Sequence, residues 1–236
     1  MTYKVERLSA DDYEEAMDFL NYVFSFNSNP TDFPVLLPKL YKPTEKNMRC
    51  NYAIRSGGRI RAIVGLFPMD VHAGNRTLKI AGIGGVSTHP RDRGKGYMIN
   101  LMAECIKTMK CEGYDLSCLG GLRQRYNHYG YETAGVSYDY NITKDNIRYC
   151  FGNDAPCGVT FKPLGESDAE AISSAKRLYE RQPFHCVRDS DQYYSILKSW
   201  NMQPFAAFGS GGQMIGYLVS NERKDHISEI FAIDRP

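Results

Sequence analysis

The sequence lacks a concentrated charge of either sign. Its 29 lysines and arginines nearly balance 27 aspartates and glutamates, which leaves a formal net charge of +2. No basic run is longer than a few residues. Because domains that bind nucleic acid usually carry a basic face, we expect no nucleic acid among the partners of this chain.

The cysteines lack the spacing of a metal or disulfide framework. There are seven of them, an odd number, and no Cys-x-x-Cys pair occurs. His185 beside Cys186 has no further ligands at zinc spacing. We therefore expect no metal site and no disulfide scaffold. Reduced thiols are typical of the cytosol.

Long apolar runs are also missing. No run approaches the roughly 20 residues that span a bilayer, and the opening Met-Thr-Tyr-Lys-Val-Glu has no apolar core of a secretory signal. We predict a cytoplasmic chain without membrane contact. Its apolar share of 42% and charged share of 24% are typical of a globular protein.

The most informative stretch runs from Ile80 to Cys111. Its first part, up to Thr88, consists mostly of small or β-branched residues and predicts a buried strand, which Pro90 ends because proline cannot donate to a sheet ladder. A turn of glycines and basic residues follows, and then apolar residues recur at helical spacing. These apolar positions are Met98, Leu101, Met102, Cys105, Ile106 and Met109.

The turn between this strand and helix suits an anion. The first turn of a helix offers amide N–H groups without intrahelical acceptors, and the helix dipole makes that end positive. Gly94 and Gly96 leave room for close approach, while Arg93 and Lys95 add positive charge. We predict a diphosphate site here; the alternative is a glycine-rich turn with solvated side chains.

Two common nucleotide motifs do not fit the turn. A P-loop would need glycine at the position of His89 and serine or threonine at the position of Gly96. The dinucleotide fingerprint would need glycine at the position of Ser87. A nucleotide-phosphate enzyme built on Gly94 and Lys95 is therefore the weakest interpretation.

The stretch resembles the signature of the GNAT N-acetyltransferases. In that family a strand and a proline lead to Arg/Gln-x-x-Gly-x-Gly/Ala, which binds the diphosphate of acetyl-CoA. Our preferred register places the motif on Arg93–Met98, with Met98 where the family has a small residue. A second register begins at Arg91 and fits every letter but lies close to Pro90.

A second family motif, Tyr-x-x-x-Gly-Phe/Tyr, matches Tyr126 to Tyr131. It follows a strand-like run, Leu116–Leu119, where the family places it. The two motifs together imply the mixed α/β sheet of the acyl-CoA N-acyltransferase (GNAT) fold over residues 1–147. The family's loop after the first helix lines the acceptor pocket, which gives the proline-rich stretch Asn27–Pro43 a functional alternative to a surface loop with an apolar underside.

The remainder of the chain partly repeats the beginning. Val159–Leu164 resembles Val5–Leu8 of the first predicted strand, and the stretch from Phe205 resembles the predicted hairpin that starts at Tyr52. We predict a partial second GNAT-like unit over residues 158–236, either degenerate or, as we favour, truncated. Tandem units of this kind resemble acetyltransferases of the enhanced-intracellular-survival type.

The resemblance also implies residue roles. Val86, Ser87 and Thr88 would run beside the pantetheine arm of acetyl-CoA, and Tyr126 would be the general acid, since an ordinary phenol suits protonation of a departing thiolate. A core tyrosine is the structural alternative. The diphosphate would be held by Arg93, Gly94, Lys95, Gly96, Tyr97 and Met98. A general base is not assigned; Glu14, Asp70 and His72 are candidates.

These features predict an N-acetyltransferase that moves an acetyl group from acetyl-CoA directly to a primary amine of a small molecule or peptide. The alternative is a non-catalytic acyl-CoA-sensing or protein-interaction module on the same fold. The sequence leaves two points open: the identity of the acceptor and whether the chain forms a homo-oligomer. The alternating run Val136–Ile142 predicts one further strand after the second motif.

Overall fold

The computed structural model describes residues 3–26, 29–136, 138–152 and 158–233. Residues 27–28 of the predicted loop and residue 137 of the predicted strand lie outside this description, as do the outermost residues of both predicted domain ranges, 1–2 and 234–236.

The first part of the chain forms the predicted mixed sheet, and helices pack on both of its faces. Its strands follow the order β1-β2-β3-β4-β5. All neighbours are antiparallel except β4 and β5, which run parallel. The elements are β1 Val5–Arg7, α1 Tyr13–Ser25, α2 Phe33–Leu36, α3 Glu45–Met48, β2 Asn51–Ser56, β3 Arg59–Ala73, β4 Arg76–Thr88, α4 Tyr97–Cys111, β5 Leu116–Leu119 and α5 Arg123–Tyr126.

The alternation of the central strands creates two cores. On β2, Ala53 faces the core beneath α1, whereas Tyr52 and Ile54 face the core beneath α4. Helix α1 buries Ala16, Met17, Phe19 and Leu20. Helix α4 buries Tyr97, Leu101, Met102, Cys105 and Met109. At about 1.5–3 kcal/mol for each fully buried large apolar side chain, these faces fix both helices on the sheet.

The predicted strand Val136–Ile142 is wrong. The described residues of this run have no strand structure, and Tyr140 is 85% exposed. Alternation favours a strand only when a neighbouring strand supplies hydrogen bonds and a surface to cover, and no described segment pairs with this run. An unpredicted helix follows, α6 Lys144–Phe151, which begins with a capping box between Thr143 and Asn146.

The rest of the chain forms a second sheet around its own core. Its strand order, β10-β9-β8-β6, has the antiparallel pattern of β4-β3-β2-β1. That the second unit is a partial GNAT repeat stays a prediction. The elements are β6 Thr160–Pro163, α7 Ala169–Glu180, β7 Phe184–Cys186, α8 Tyr193–Lys198, β8 Met202–Phe208, β9 Met214–Asn221 and β10 Ile227–Ala232.

One strand from the second half of the chain belongs to the first sheet. Although β7 lies in the second half of the chain, it pairs with the end of β3, with Val71 opposite Cys186 and His72 opposite His185. The first sheet therefore has six strands. Across the described ranges, no helix is long and apolar enough to cross a membrane.

Candidate active site

The end of β4 is open on one side. Strand β5 pairs with β4 only as far as Ile83 opposite Leu119, so Gly84–Thr88 continue beyond their parallel neighbour. Backbone groups along the β5 side of this segment are therefore left for another partner. The predicted pantetheine track, Val86–Thr88, lies within this open edge.

A bulge lies at the start of the open edge. On β3, Gly65 and Ile63 are two residues apart, whereas their partners on β4, Gly84 and Ser87, are three residues apart. Strand β4 therefore has one extra residue here. Gly85 has φ +59°, and a Cβ built on it would lie 2.8 Å from the Tyr41 hydroxyl. Only glycine fits this position without strain, because the backbone is left-handed and the space is filled.

The turn after β4 presents the N-terminus of α4. Gly94 has φ +83° and Gly96 has φ +81°, and Gly96 is the N-cap residue of α4. Asn100 N–H donates to the Gly96 carbonyl at 3.2 Å, as the first amide of the regular helix ladder. The amides of Tyr97, Met98 and Ile99 precede that ladder and have no intrahelical acceptor.

Asp92 organises the basic side chains beside the turn. It is 7% exposed, and its carboxylate lies 2.6 Å from Lys95 Nζ, 3.5 Å from Arg61 Nε and 3.7 Å from His89 Nδ1. The hydrogen bond from Lys95, aided by the charge of Arg61, lowers the pKa of Asp92 below its ordinary value. Lys95 is thereby held by a carboxylate of the chain itself.

A cavity of about 620 Å³ lies where the open edge, the turn and α4 meet. It is lined by every predicted cofactor-binding residue except Lys95. Val23 of α1 and Arg125 of α5 also line it. A second cavity of about 600 Å³ is lined by Val35 and Pro38 of the proline-rich stretch and by residues of the second half of the chain. It contains none of the predicted cofactor-binding residues, which meet, apart from Lys95, at the first cavity.

Tyr126 lies beside this cavity wall but in the core. It is 5% exposed and packs edge-to-face on Tyr131, with ring centroids 6.4 Å apart. A Cβ built on Gly121 would lie 2.5 Å from its ring, so Gly121 makes room for it. Tyr126 shares a core cluster with Tyr97, which lines the cavity, but is not itself among the lining residues. Its role as general acid stays a prediction.

The three candidate bases are not brought to the cavity. Glu14 lies in the first turn of α1. Asp70 and His72 lie far along β3, opposite Lys79 and Thr77 of β4, and His72 Nδ1 is 2.9 Å from the Thr77 hydroxyl. None of the three is among the residues that line the cavity.

Sequence reasoning missed six residues of this region. Two of them, Val23 and Ile99, line the cavity from α1 and α4. Gly85 belongs to a Gly-Gly pair inside a strand, which is a recognised sign of a bulge. Asp92 lies inside the motif, but its long-range partner Arg61 gives no sequence signal. Arg125 and Tyr41 reach the site only through the packing of α5 and of the segment after α2.

The chain belongs to the acetyltransferase (GNAT) domain family, whose sequence profile matches residues 4–134. This interval contains the open edge, the glycine turn, α4 and the Tyr126 motif. Comparison with curated proteins gave no match.

Solved structures support the same fold. A conserved protein of unknown function from Enterococcus faecalis, described as a probable N-acyltransferase, superposes with a TM-score of 0.67 at 19% identity, covering 93% of this chain and 55% of that one. A GCN5-related N-acetyltransferase from Kribbella flavida gives 0.65 at 16%, covering 98% and 57%. Saccharomyces cerevisiae N-myristoyltransferase with bound myristoyl-CoA and inhibitors gives 0.57 at 11%, covering 98% and 64%. The chain therefore spans somewhat more than half the length of these structures.

Proposed function

We propose that the protein is an acyl-CoA-dependent N-acyltransferase that moves an acetyl group from acetyl-CoA to a primary amine of a small molecule or peptide. One observation carries the proposal. The cavity joins an unpaired strand edge, suited to an amide-bearing pantetheine arm, to a helix N-terminus with two glycines, suited to a diphosphate.

Both ends of the cavity have groups that suit the chemistry of acetyl-CoA. Gly94 and Gly96 both have positive φ and no Cβ to exclude an anion, and Arg93 lines the cavity beside them. Val86–Thr88 supply backbone donors and acceptors for the amides of the pantetheine arm. An amide at the bulge would polarise the thioester carbonyl.

The proposed reaction is a direct transfer. The amine nitrogen attacks the thioester carbonyl carbon, a C–N bond forms, and the C–S bond breaks. The departing thiolate takes a proton from the Tyr126 hydroxyl, and the amine releases its proton towards solvent. The Tyr126 phenolate then regains a proton from solvent, so that the site returns to its starting state. Holding amine and thioester side by side is the largest contribution that such a site makes to the rate.

A second candidate function is an acyl-CoA-sensing module without catalysis. The observation that favours it is the burial of Tyr126 in the core rather than on the cavity wall. In this case the cavity would bind acyl-CoA, and the phenol would serve packing alone.

Binding and turnover separate the two functions. We expect acetyl-CoA and CoA, but not ATP, to raise the unfolding temperature, because a ligand at about 100 times its Kd adds about 2.7 kcal/mol of stability. Amines are then screened for acetylation. Tyr126→Phe should lower kcat by about 100-fold or more while stabilisation by acetyl-CoA persists.

Tyr129→Phe is the matched control, since Tyr129 lies in the same motif and is only partly buried in the same core. It should leave kcat nearly unchanged. Binding without turnover of any amine would favour the sensing module. No stabilisation by either CoA species would overturn both functions.

A further inference from the structure

Arg125 lines the candidate cavity on the side of α5. It is an exposed residue of this short helix, and its side chain shares the cavity with Met98 and Ile99 in the first turn of α4. Across the described parts of the chain, no carboxylate lies within 4.0 Å of its guanidinium group. A cation that faces a cavity without an internal partner is available to an external anion.

Neighbouring cations behave differently. Arg123, two residues earlier on the same helix, donates two hydrogen bonds of 2.6 Å to Glu132. Lys95 and Arg61 are held by Asp92. Arg93 resembles Arg125, since it lines the cavity and no described carboxylate pairs with it. Arg93 and Arg125 thus share two properties: both line the cavity, and neither has a carboxylate partner among the described residues.

A charge count explains why two arginines would be needed. The diphosphate of an acyl-CoA carries two negative charges. The N-terminus of α4 supplies the equivalent of about half a positive charge, and Arg93 supplies one more. The Asp92 cluster, with Lys95 and Arg61, adds one net positive charge, and the 3′-phosphate of CoA adds further negative charge. A second guanidinium group therefore still has negative charge to neutralise, and it offers the planar fork that fits phosphate oxygens.

We propose that Arg125 binds a phosphate group of the nucleotide end of acyl-CoA, together with Arg93 and the first turn of α4. The proposal rests on the proposed function. It also gives consecutive residues of α5 different tasks, because Arg125 faces the cavity while Tyr126 packs into the core. A phosphate bound by Arg125 would hold this helix at the cavity.

The test compares Arg125→Gln with Arg123→Gln in the full chain. Dissociation constants are measured by calorimetry for CoA, 3′-dephospho-CoA and pantetheine, after checking that both variants unfold at the wild-type temperature. We expect Arg125→Gln to weaken CoA binding about 10- to 100-fold, as for the loss of charge-assisted hydrogen bonds. Arg123→Gln should stay within about 2-fold of wild type, since Arg123 pairs with Glu132.

The three ligands identify the phosphate. Pantetheine binding should be the same in wild type and Arg125→Gln, because pantetheine carries no phosphate. If Arg125→Gln weakens CoA and 3′-dephospho-CoA equally, the contact is to the diphosphate. If it weakens CoA alone, the contact is to the 3′-phosphate. Either outcome supports the proposal.

Other outcomes overturn it. Equal CoA affinity in Arg125→Gln and Arg123→Gln, with wild type binding CoA, would remove the role of Arg125 and leave the proposed function intact. Loss of pantetheine binding in Arg125→Gln to the same extent as CoA would show a structural effect instead. Failure of wild type to bind CoA would overturn the proposed function itself.

Discussion

The two sheets share a strand order, but two arginines beside the cavity of the first contrast with one buried arginine of the second. In the first, Arg93 and Arg125 face a cavity and lack a carboxylate partner within the described residues. In the second, Arg188 donates to both carboxylate oxygens of Glu229, at 2.9 and 2.7 Å, and stacks 3.6 Å above the Tyr179 ring. An arginine satisfied inside the chain holds the fold together, whereas one left open is available to a ligand.

The fourth strand of each sheet, β4 in the first and β10 in the second, shows a similar contrast. Both β4 and β10 have a register break against their neighbour. The break in β4 contains Gly85 at φ +59° and lies at the start of an edge without a partner. The break in β10, between Ile227 and Glu229, contains no glycine, and Glu229 turns inward to Arg188 and Tyr217. The register break in the first sheet lies at the candidate site, whereas the break in the second sheet lies beside a packed ion pair.

The largest expected effect is the loss of stability on breaking the ion pair between Arg188 and Glu229. Burial alone would lower the pKa of Arg188, but hydrogen bonds and charge from Glu229 outweigh it and raise the pKa. Because the two side chains are only 14% and 16% exposed, Arg188→Ala would leave Glu229 buried without its counter-charge. We expect a loss of about 3–5 kcal/mol in the free energy of unfolding, measured by urea titration of Trp200 fluorescence.

Trp200 is the only tryptophan and lies between α8 and β8, so its signal reports on the second sheet. Removing both charges together, as Arg188→Met with Glu229→Leu, should recover most of the stability, because an apolar pair leaves no buried charge. A double variant as unstable as Arg188→Ala would show that shape rather than charge is decisive.

The second-largest expected effect is a loss of stability at the bulge around Gly85. Gly85→Ala should cost about 1–2 kcal/mol for a left-handed alanine, plus the contact with the Tyr41 hydroxyl at 2.8 Å. Gly113→Ala is the matched control, with φ +69° and nothing within 4 Å of the added Cβ. The difference between the two unfolding free energies isolates the contact.

Tyr41→Phe should reduce that difference. The Tyr41 hydroxyl is buried without a described hydrogen-bond partner, so its removal alone should be close to neutral. In the Gly85→Ala background it should be stabilising, because the clashing atom is gone. Equal costs for Gly85→Ala and Gly113→Ala would mean that Tyr41 does not constrain the bulge.

The elements that the sequence predicted depend on local patterns. The β2–β3 hairpin follows from Gly57 and Gly58, which both have positive φ. Helix α4 follows from its apolar periodicity, and the cavity-lining turn from Arg93–Met98. Each pattern lies within a few residues, where backbone preference and burial act together.

Most of what the sequence did not predict depends on distant partners. The alternation of residues 136–142 is real, but the described chain offers that run no strand to pair with. Lys95 has the right charge and position for a phosphate, yet Asp92 holds it 2.6 Å away. The bulge at Gly85 is defined by the register of β3. The missing strand partner and the register at the bulge cannot be read from one segment alone, whereas the Asp92–Lys95 pair is local, since its members are three residues apart.

The smallest effect is a pH dependence confined to the first sheet. Burial, with the charge of Arg61, lowers the pKa of His89 below its ordinary value of 6.5, while Asp92 acts in the opposite direction. Arg91 and the stacked ring of Tyr22 also face this imidazole. The folded state therefore favours neutral His89. Its contribution to stability is fully present above about pH 6.5 and is lost as the pH falls through the lower, folded pKa.

Hydrogen exchange of amides in β4 and α4 between pH 7.5 and 5, corrected for intrinsic rates, measures this loss. Protection should fall on acidification in wild type and fall less in His89→Gln, which cannot take up the proton. His128→Gln, at an exposed residue outside the Asp92 cluster, should behave as wild type. Amides of β8 and β9 should show no difference between His89→Gln and wild type. Of the two histidines, only His89 lies against both Arg61 and Asp92. An equal fall in protection in wild type, His89→Gln and His128→Gln would therefore assign the pH dependence to other groups.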